Sequence, residues 1–281
     1  MIEFTLESAD GTELAARHWP LDKTLGKTPK AVMALVHGFG EHSGRYLQMA
    51  EHLNANAIAV VALDLHGHGK TPGRRGGIKN YDDFRADLAV LLAKTRSLYP
   101  ETPLILYGHS MGGGIVLDHG LRAQDSLPTI ASAPLIRLTD PVPKHLRFLV
   151  RVLAKIHPKG SITTPIDSTR ITNLAEEQDK HGADELRHGT MSYPLAVDLV
   201  DIGNNIANQA SRWDQPLLLF HSKADQLTSY EASAAFTQIA KQCEFHGYET
   251  SQHEMHNDAP RDEIYARMTE FILRQAAQNH L

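Results

Sequence analysis

The pentapeptide Gly108-His109-Ser110-Met111-Gly112 restricts the fold more than any other stretch of this chain. It follows Thr102-Pro103-Leu104-Ile105-Leu106-Tyr107, which reads as a buried strand. It leads into Gly113-Gly114-Ile115-Val116-Leu117, which reads as the start of a helix. G-x-S-x-G between a strand and a helix is the setting of a sharp, strained turn that lifts a serine hydroxyl clear of a sheet. Side chains at the flanks of such a turn would collide, which accounts for glycine at 108 and 112. The competing explanation is a glycine-rich turn with an incidental serine. The apolar strand before the motif and the glycines after it favour the first explanation.

Alternating strands and helices surround this turn. Ala31-Val32-Met33-Ala34-Leu35-Val36, Ala57-Ile58-Ala59-Val60-Val61-Ala62-Leu63 and Leu217-Leu218-Leu219-Phe220 are continuous apolar runs, the mark of strands buried on both faces. Residues 129–133 and 243–248 add two more strands, and residues 2–7 and 13–19 flank an Asp10-Gly11 turn that predicts an antiparallel hairpin at a sheet edge. Helices are predicted over 46–54, over 81–97 with Phe84, Leu88, Leu91 and Leu92 at helical spacing, and over 231–241 and 261–275. Residues 23–29 read as a polar linker. The pattern implies a mostly parallel sheet with helices on both faces. Sites in such sheets lie beyond the carboxyl ends of the strands, where the loops at His37, Asp64, Ser110 and Asp225 all fall.

The segment 135–213 breaks the rhythm and holds no buried strand; it is expected to be a cap inserted into a core made of 1–134 and 214–281. Residues 141–166 contain no Asp or Glu. Within them Leu146, Leu149, Val150, Leu153 and Ile156 share one helical arc, and Lys144, Arg147, Arg151 and Lys155 share the opposite one. Such a helix is either a surface helix with a solvated basic face or one that docks on anionic lipid.

Composition excludes several classes. Lys and Arg number 28 against 33 Asp and Glu, a net charge of −5, so no basic excess points to nucleic acid. A single cysteine, Cys243, rules out an internal disulfide framework and fits a reducing compartment, hence a cytoplasmic location. The first eight residues carry acids and lack an apolar core, so no signal peptide is expected, and no apolar run is long enough to span a membrane.

A serine hydroxyl needs a base to take its proton, and the base needs an acid that holds its tautomer. In a strand–turn–helix serine site the chain order is Ser, then Asp or Glu, then His. Asp225 follows the strand at 217–220 and is the acid candidate; Asp198 and Asp201 lie in the cap and are weaker rivals. After the last strand both His253 and His256 are candidates for the base, His253 being nearer the strand end. The oxyanion of a tetrahedral intermediate needs preset N–H donors. Met111, next after the serine, and Phe39, in His37-Gly38-Phe39-Gly40, are the natural ones. His253-Glu254-Met255-His256 lacks the i, i+4 spacing of a zinc-protease helix, and His66 and His68 alternate with glycine in a turn, so no metal site is expected.

Several stretches together resemble the monoacylglycerol lipase and lysophospholipase group of α/β-hydrolases. They are His37-Gly38-Phe39-Gly40-Glu41-His42-Ser43-Gly44-Arg45-Tyr46, Gly108-His109-Ser110-Met111-Gly112-Gly113, Asp64-Leu65-His66-Gly67-His68-Gly69, Ser132-Ala133-Pro134-Leu135, Pro165-Ile166-Asp167-Ser168 and Tyr248-Glu249. The resemblance spans nearly the whole chain and is thinnest over 136–213. It implies an α/β-hydrolase fold: a mostly parallel eight-stranded sheet flanked by helices, with a helical cap. It also implies Ser110 as nucleophile, Asp225 as acid, His253 rather than His256 as base, and Phe39 and Met111 as oxyanion donors. Glu41, Arg45 and His109 match positions near the polar head-group pocket of that group. The implied partner is a small lipid ester, without a cofactor; peripheral membrane contact through the cap is a separate expectation, carried by the basic helix. Two departures stand out: Ser222 where the acid loop usually has glycine, and Phe39 where some relatives have a smaller residue.

Overall fold

The computed structural model describes residues 1–21, 28–123 and 125–278; most of the polar linker expected over 23–29 lies outside them. In chain order the core elements are β1 (Ile2–Glu7), β2 (Glu13–Trp19), β3 (Ala31–Val36), α1 (Leu47–Ala55), β4 (Ile58–Leu63), α2 (Asp82–Leu98), β5 (Leu104–His109), α3 (Met111–Arg122) and β6 (Thr129–Ser132). After an insertion come β9 (Leu217–Ser222), α7 (Tyr230–Ile239), β10 (Cys243–Tyr248) and α8 (Arg261–Gln278). The eight strands form one sheet in the order β1-β2-β4-β3-β5-β6-β9-β10, with β2 alone running against the rest.

The continuous apolar runs are explained by cover on both faces. Along β3, Met33 and Leu35 pack with Met49, Leu53, Met268, Phe271 and Ile272 from α1 and α8. Val32, Ala34 and Val36 point the other way, into a layer with Phe84, Leu88, Leu91, Ile115 and Val116 from α2 and α3. Every residue of β3, β4, β5 and β9 is buried. Because these strands are parallel, the segments following β3, β4, β5, β6, β9 and β10 emerge at one edge of the sheet.

The insertion carries α4 (Lys144–Ile156), β7 (Ser161–Thr163), α5 (Ala175–Ala183), β8 (Thr190–Ser192) and α6 (Tyr193–Asn208). β7 and β8 pair antiparallel, apart from the main sheet. α6 starts on a Ser192 cap with Pro194 in its first turn, and Gly203 brings it so close to the chain after β6 that a Cβ there would sit 2.4 Å from the Ile136 carbonyl. The base of the insertion is pinned to the core loops. The His188 amide donates to the Gly40 carbonyl at 3.0 Å, and the Ser192 amide donates to Gly76 at 3.0 Å. The His188 ring donates from Nε2 to Gly67 at 3.0 Å.

Helix α4 keeps most of its basic arc in solvent: Lys144, Arg151 and Lys155 are exposed and Arg147 is half-buried. Arg147 and Arg151 face α6, where Asp201 pairs with Arg151 at 2.6 Å and Arg147 at 3.7 Å. No residue of α4 is buried: Ile156, Leu149 and Leu146 of its apolar arc are 72%, 51% and 42% exposed, Val150 and Leu153 are half-buried, and Phe148, on the basic side of the helix, is 70% exposed.

Candidate active site

Ser110 sits between β5 and α3 with φ +53° and ψ −116°, a left-handed-side conformation that a non-glycine residue adopts only when its surroundings hold it there. Its carbonyl accepts from Gly114 at 3.0 Å and Leu135 at 2.8 Å, and its amide donates to Ser132 at 2.9 Å. The flanking glycines are required by close approach. A Cβ on Gly108 would lie 2.3 Å from the Gly112 carbonyl oxygen, and one on Gly112 would lie 2.3 Å from that of Val36. Residues on both sides are buried while Ser110 itself is partly exposed.

Asp225 and His253, contributed by the loops after β9 and β10, meet on the same edge. His253 Nδ1 donates to Asp225 Oδ2 at 2.7 Å, both side chains being buried. With its hydrogen on Nδ1, the ring presents a lone pair at Nε2. The other carboxylate oxygen, Oδ1, accepts the amides of Leu227 at 2.7 Å and Thr228 at 3.1 Å. The Thr228 hydroxyl donates to Oδ2 at 2.9 Å. Ser222, in place of glycine, turns its hydroxyl to the Tyr248 carbonyl and accepts the Ala224 amide, both at 3.3 Å, which fastens the start of the acid loop. The insertion supports the histidine loop, with Arg170 accepting the His253 amide at 3.3 Å and Ile171 the Glu254 amide at 2.7 Å.

The electrostatics of the pair follow from burial opposed by charge. Burial would raise the Asp225 carboxyl, but the facing His253 charge and the hydrogen bonds from His221 and His253 hold it well below the usual carboxylate range. Burial would lower His253, and the Asp225 charge and hydrogen bond, helped by Glu254 and Glu41, outweigh it and raise the ring above its ordinary value. A base works in its neutral form, so a raised value moves the loss of activity to higher pH. The acid limb of kcat/KM is therefore expected to have its midpoint above pH 6.5, measured with a neutral ester substrate.

His256 lies in a short 3-10 turn, Met255–Asn257, stacked on Tyr46 at 5.0 Å. Neither of its ring nitrogens has a hydrogen-bond partner among the described residues, and burial pushes it down to about 4. It has the burial of a base but no acid holding its tautomer.

The loop after β3 abuts the serine turn: a Cβ on Gly38 would come within 3.1 Å of Ser110 Cβ. Gly40 has φ +72°, and a Cβ there would lie 2.1 Å from the His188 carbonyl, so the insertion bears directly on this loop. The Phe39 ring lies edge-on to His68 and His188 at 5.8 and 5.7 Å. Met111 opens α3, where first-turn amides have no partner inside the helix.

Glu41, Arg45 and His109 come together behind the serine turn. Glu41 Oε1 accepts the Gly38 amide at 2.5 Å and the Tyr46 hydroxyl at 2.8 Å. Arg45 bridges Glu41 at 3.3 Å and Glu254 at 2.7 Å. Burial, and then the charge of Glu254, push the Glu41 carboxyl up to about 7. His109 donates from Nδ1 to the Ser132 carbonyl at 3.1 Å, its ring 4.7 Å from that of His253. Thr228, His221 and Tyr46 also contact site residues, and sequence reasoning missed all three roles. Thr228, three residues after Asp225, carried a readable signal, since a hydroxyl at that offset can close an acid turn.

A parallel sheet whose central strand ends in a strained serine, with a buried Asp–His pair beyond two later strands, defines a class. The chain is a serine hydrolase of the α/β-hydrolase superfamily. Residues 27–260 match the family described as serine aminopeptidase, S33, and the chain belongs to that family. It is related to the monoacylglycerol lipases. The Mycolicibacterium smegmatis monoacylglycerol lipase is 29% identical over 249 residues, covering 87% of this chain and 89% of that one. The Homo sapiens monoglyceride lipase is 30% identical over 261 residues, covering 91% and 84%. The crystal structure of Paleococcus ferrophilus monoacylglycerol lipase superposes with a TM-score of 0.83 at 26% identity, covering 94% of this chain and 99% of that one.

Proposed function

We propose that the protein hydrolyses monoacylglycerols or lysophospholipids to free fatty acid through an acyl-enzyme on Ser110. The observation that carries this is the His253–Asp225 pair, bonded at 2.7 Å in loops that emerge at the same sheet edge as the strained serine. His253 Nε2 takes the Ser110 proton as Oγ attacks the ester carbonyl. The amides of Phe39 and Met111 receive the developing oxyanion. The tetrahedral intermediate collapses, the alcohol leaves with the proton from His253, and water then repeats the sequence on the acyl-enzyme. Asp225 stays ionised and stabilises the imidazolium. Glu41, Arg45 and His109 serve the polar end of the substrate, and the acyl chain runs beneath the 135–213 cap.

Rates against glycerol monoesters of rising acyl length test this reading, with a long-chain optimum expected. A second reading comes from the family description, which names an aminopeptidase. A short-chain optimum would favour a general carboxylesterase, and faster cleavage of aminoacyl amides than of esters would favour a peptidase.

No helix among the described residues is long and apolar enough to cross a membrane. The exposed apolar side chains of α4, Phe148, Leu149 and Ile156 among them, with exposed Lys144, Arg151 and Lys155 beside them, support a reading in which a cytoplasmic enzyme lays this helix into a lipid surface to collect its substrate. Burying one phenylalanine contributes about 1.5–3 kcal/mol. Phe148→Asp is therefore expected to lower partitioning onto phosphatidylcholine–phosphatidylglycerol vesicles by about tenfold or more. It should leave turnover of a water-soluble ester unchanged. Equal vesicle binding by both proteins would remove the membrane reading.

A further inference from the structure

The acid loop holds a second buried histidine that the reaction sequence above does not use. His221, near the end of β9, is fully buried and presents one ring edge to Asp225. Its Nε2 lies 3.2 Å from Asp225 Oδ2 and 3.0 Å from the Thr228 carbonyl oxygen. Both are acceptors, so Nε2 carries a hydrogen. The Ser233 hydroxyl, on α7, meets the opposite nitrogen, Nδ1, at 2.8 Å and fixes the ring from behind.

Asp225 Oδ2 is the oxygen that bonds the base, and it depends on side chains alone. Oδ1 is held by two backbone amides, whereas Oδ2 receives His253 and Thr228 Oγ1 and lies 3.2 Å from His221 Nε2, whose hydrogen also faces the Thr228 carbonyl. Thr228 Oγ1 has a single hydrogen and two acceptors in reach, Oδ2 at 2.9 Å and the Ala133 carbonyl at 3.0 Å. When that hydrogen turns to Ala133, the second donor beside Oδ2 is His221. His221 also grips the Thr228 carbonyl and so holds the turn from which Asp225 projects.

We propose that His221, steadied by Ser233, is a positioning residue for the acid: it aims Oδ2 at His253 and shares its negative charge. The proposal rests on Asp225 and His253 being the acid and base. Its electrostatic consequence has a definite sign. Without a donor from His221, the charge on Oδ2 is felt more strongly by His253, and the imidazolium becomes more stable. The acid limb of kcat/KM then moves to higher pH. The titratable groups facing His221 are Asp225, Tyr230 and Glu231, and those facing His253 are Asp225, His109, His256, Glu254 and Glu41. None of these is altered by substitution at 221.

The test compares His221→Leu, which removes the donor, with His221→Gln, which keeps an N–H at the reach of Nε2. The substrate is a soluble p-nitrophenyl ester, and folding is checked by circular dichroism. His221→Leu is expected to lower kcat about tenfold or more with KM little changed, because a donor to a charged acceptor is lost. It should also raise the acid limb by roughly half a pH unit or more. His221→Gln should recover most of both. If the leucine variant does not fold, His221→Asn replaces it, since the shorter amide reaches Ser233 but not Oδ2. Wild-type kcat and limb in the leucine or asparagine variant would overturn the proposal. So would a lowered kcat with an unmoved limb that glutamine fails to restore, because that is a packing effect. Asp225→Asn, assayed alongside, separates the two readings. If it retains wild-type turnover, the acid assignment itself fails. If it is inactive while the position 221 variants match wild type, only the role of His221 fails.

Discussion

Ser110→Ala is expected to lower kcat toward both soluble and long-chain esters by roughly 10⁴- to 10⁶-fold, the range seen when the nucleophile of such a site is removed. The substitution deletes one oxygen at a partly exposed position and leaves the turn's backbone bonds to Ser132, Gly114 and Leu135 in place. Alanine tolerates φ +53° about as poorly as serine does, so the melting temperature should change little. The loss would then report chemistry rather than unfolding. Residual turnover over water would come from the oxyanion amides and from binding.

His253→Ala is expected to produce a loss of similar size, and His256→Ala a loss of about tenfold or less. The two rings stand close in sequence, and both are buried. They differ in that His253 has Asp225 at 2.7 Å, whereas His256 has no partner for either nitrogen among the described residues and stacks on Tyr46. Only the first can hold a defined tautomer and a stabilised imidazolium. In the proposed reaction Ser110 and His253 act as a unit, so Ser110→Ala/His253→Ala should be no slower than either single variant. Steady-state rates of the three proteins, normalised to folded protein, check this. Full activity in His253→Ala with loss in His256→Ala would reverse the choice of base.

Much of the frame was legible because local signals were strong. The runs at 31–36, 58–63 and 217–222 carry no polar interruption before their ends, and such runs have few homes other than a doubly covered sheet. The Asp10-Gly11 turn gave the edge hairpin, and β10 runs over the predicted 243–248. Helix ends drifted: α8 continues to Gln278 rather than 275, because nothing in its polar last turn marks a stop. The β7–β8 pair went unseen, since three-residue strands are too short to show a period. Strand order was also unreadable. That β3 lies between β4 and β5 depends on crossovers through α1 and α2, not on any local pattern.

At the site, motif spacing pointed to Ser110, Asp225 and Met111 as candidates, and resemblance pointed to His253. Long-range partners were not readable. The Gly38 amide ending on Glu41, Arg45 joining Glu41 to Glu254, and His221 lying against Asp225 are contacts of the folded loops. The same limit holds at α4, where the pairing of Arg147 and Arg151 with Asp201 is a contact between two helices of the folded chain.

In the proposed reaction Ser110 carries the acyl group during ester hydrolysis. Reaction with a long-chain alkyl fluorophosphonate, followed by proteolysis and mass mapping, tests it most directly. One adduct per chain is predicted, on the peptide containing Ser110, formed in step with the loss of ester turnover and absent from Ser110→Ala. An adduct on another residue, or full labelling of Ser110 with turnover intact, would contradict it.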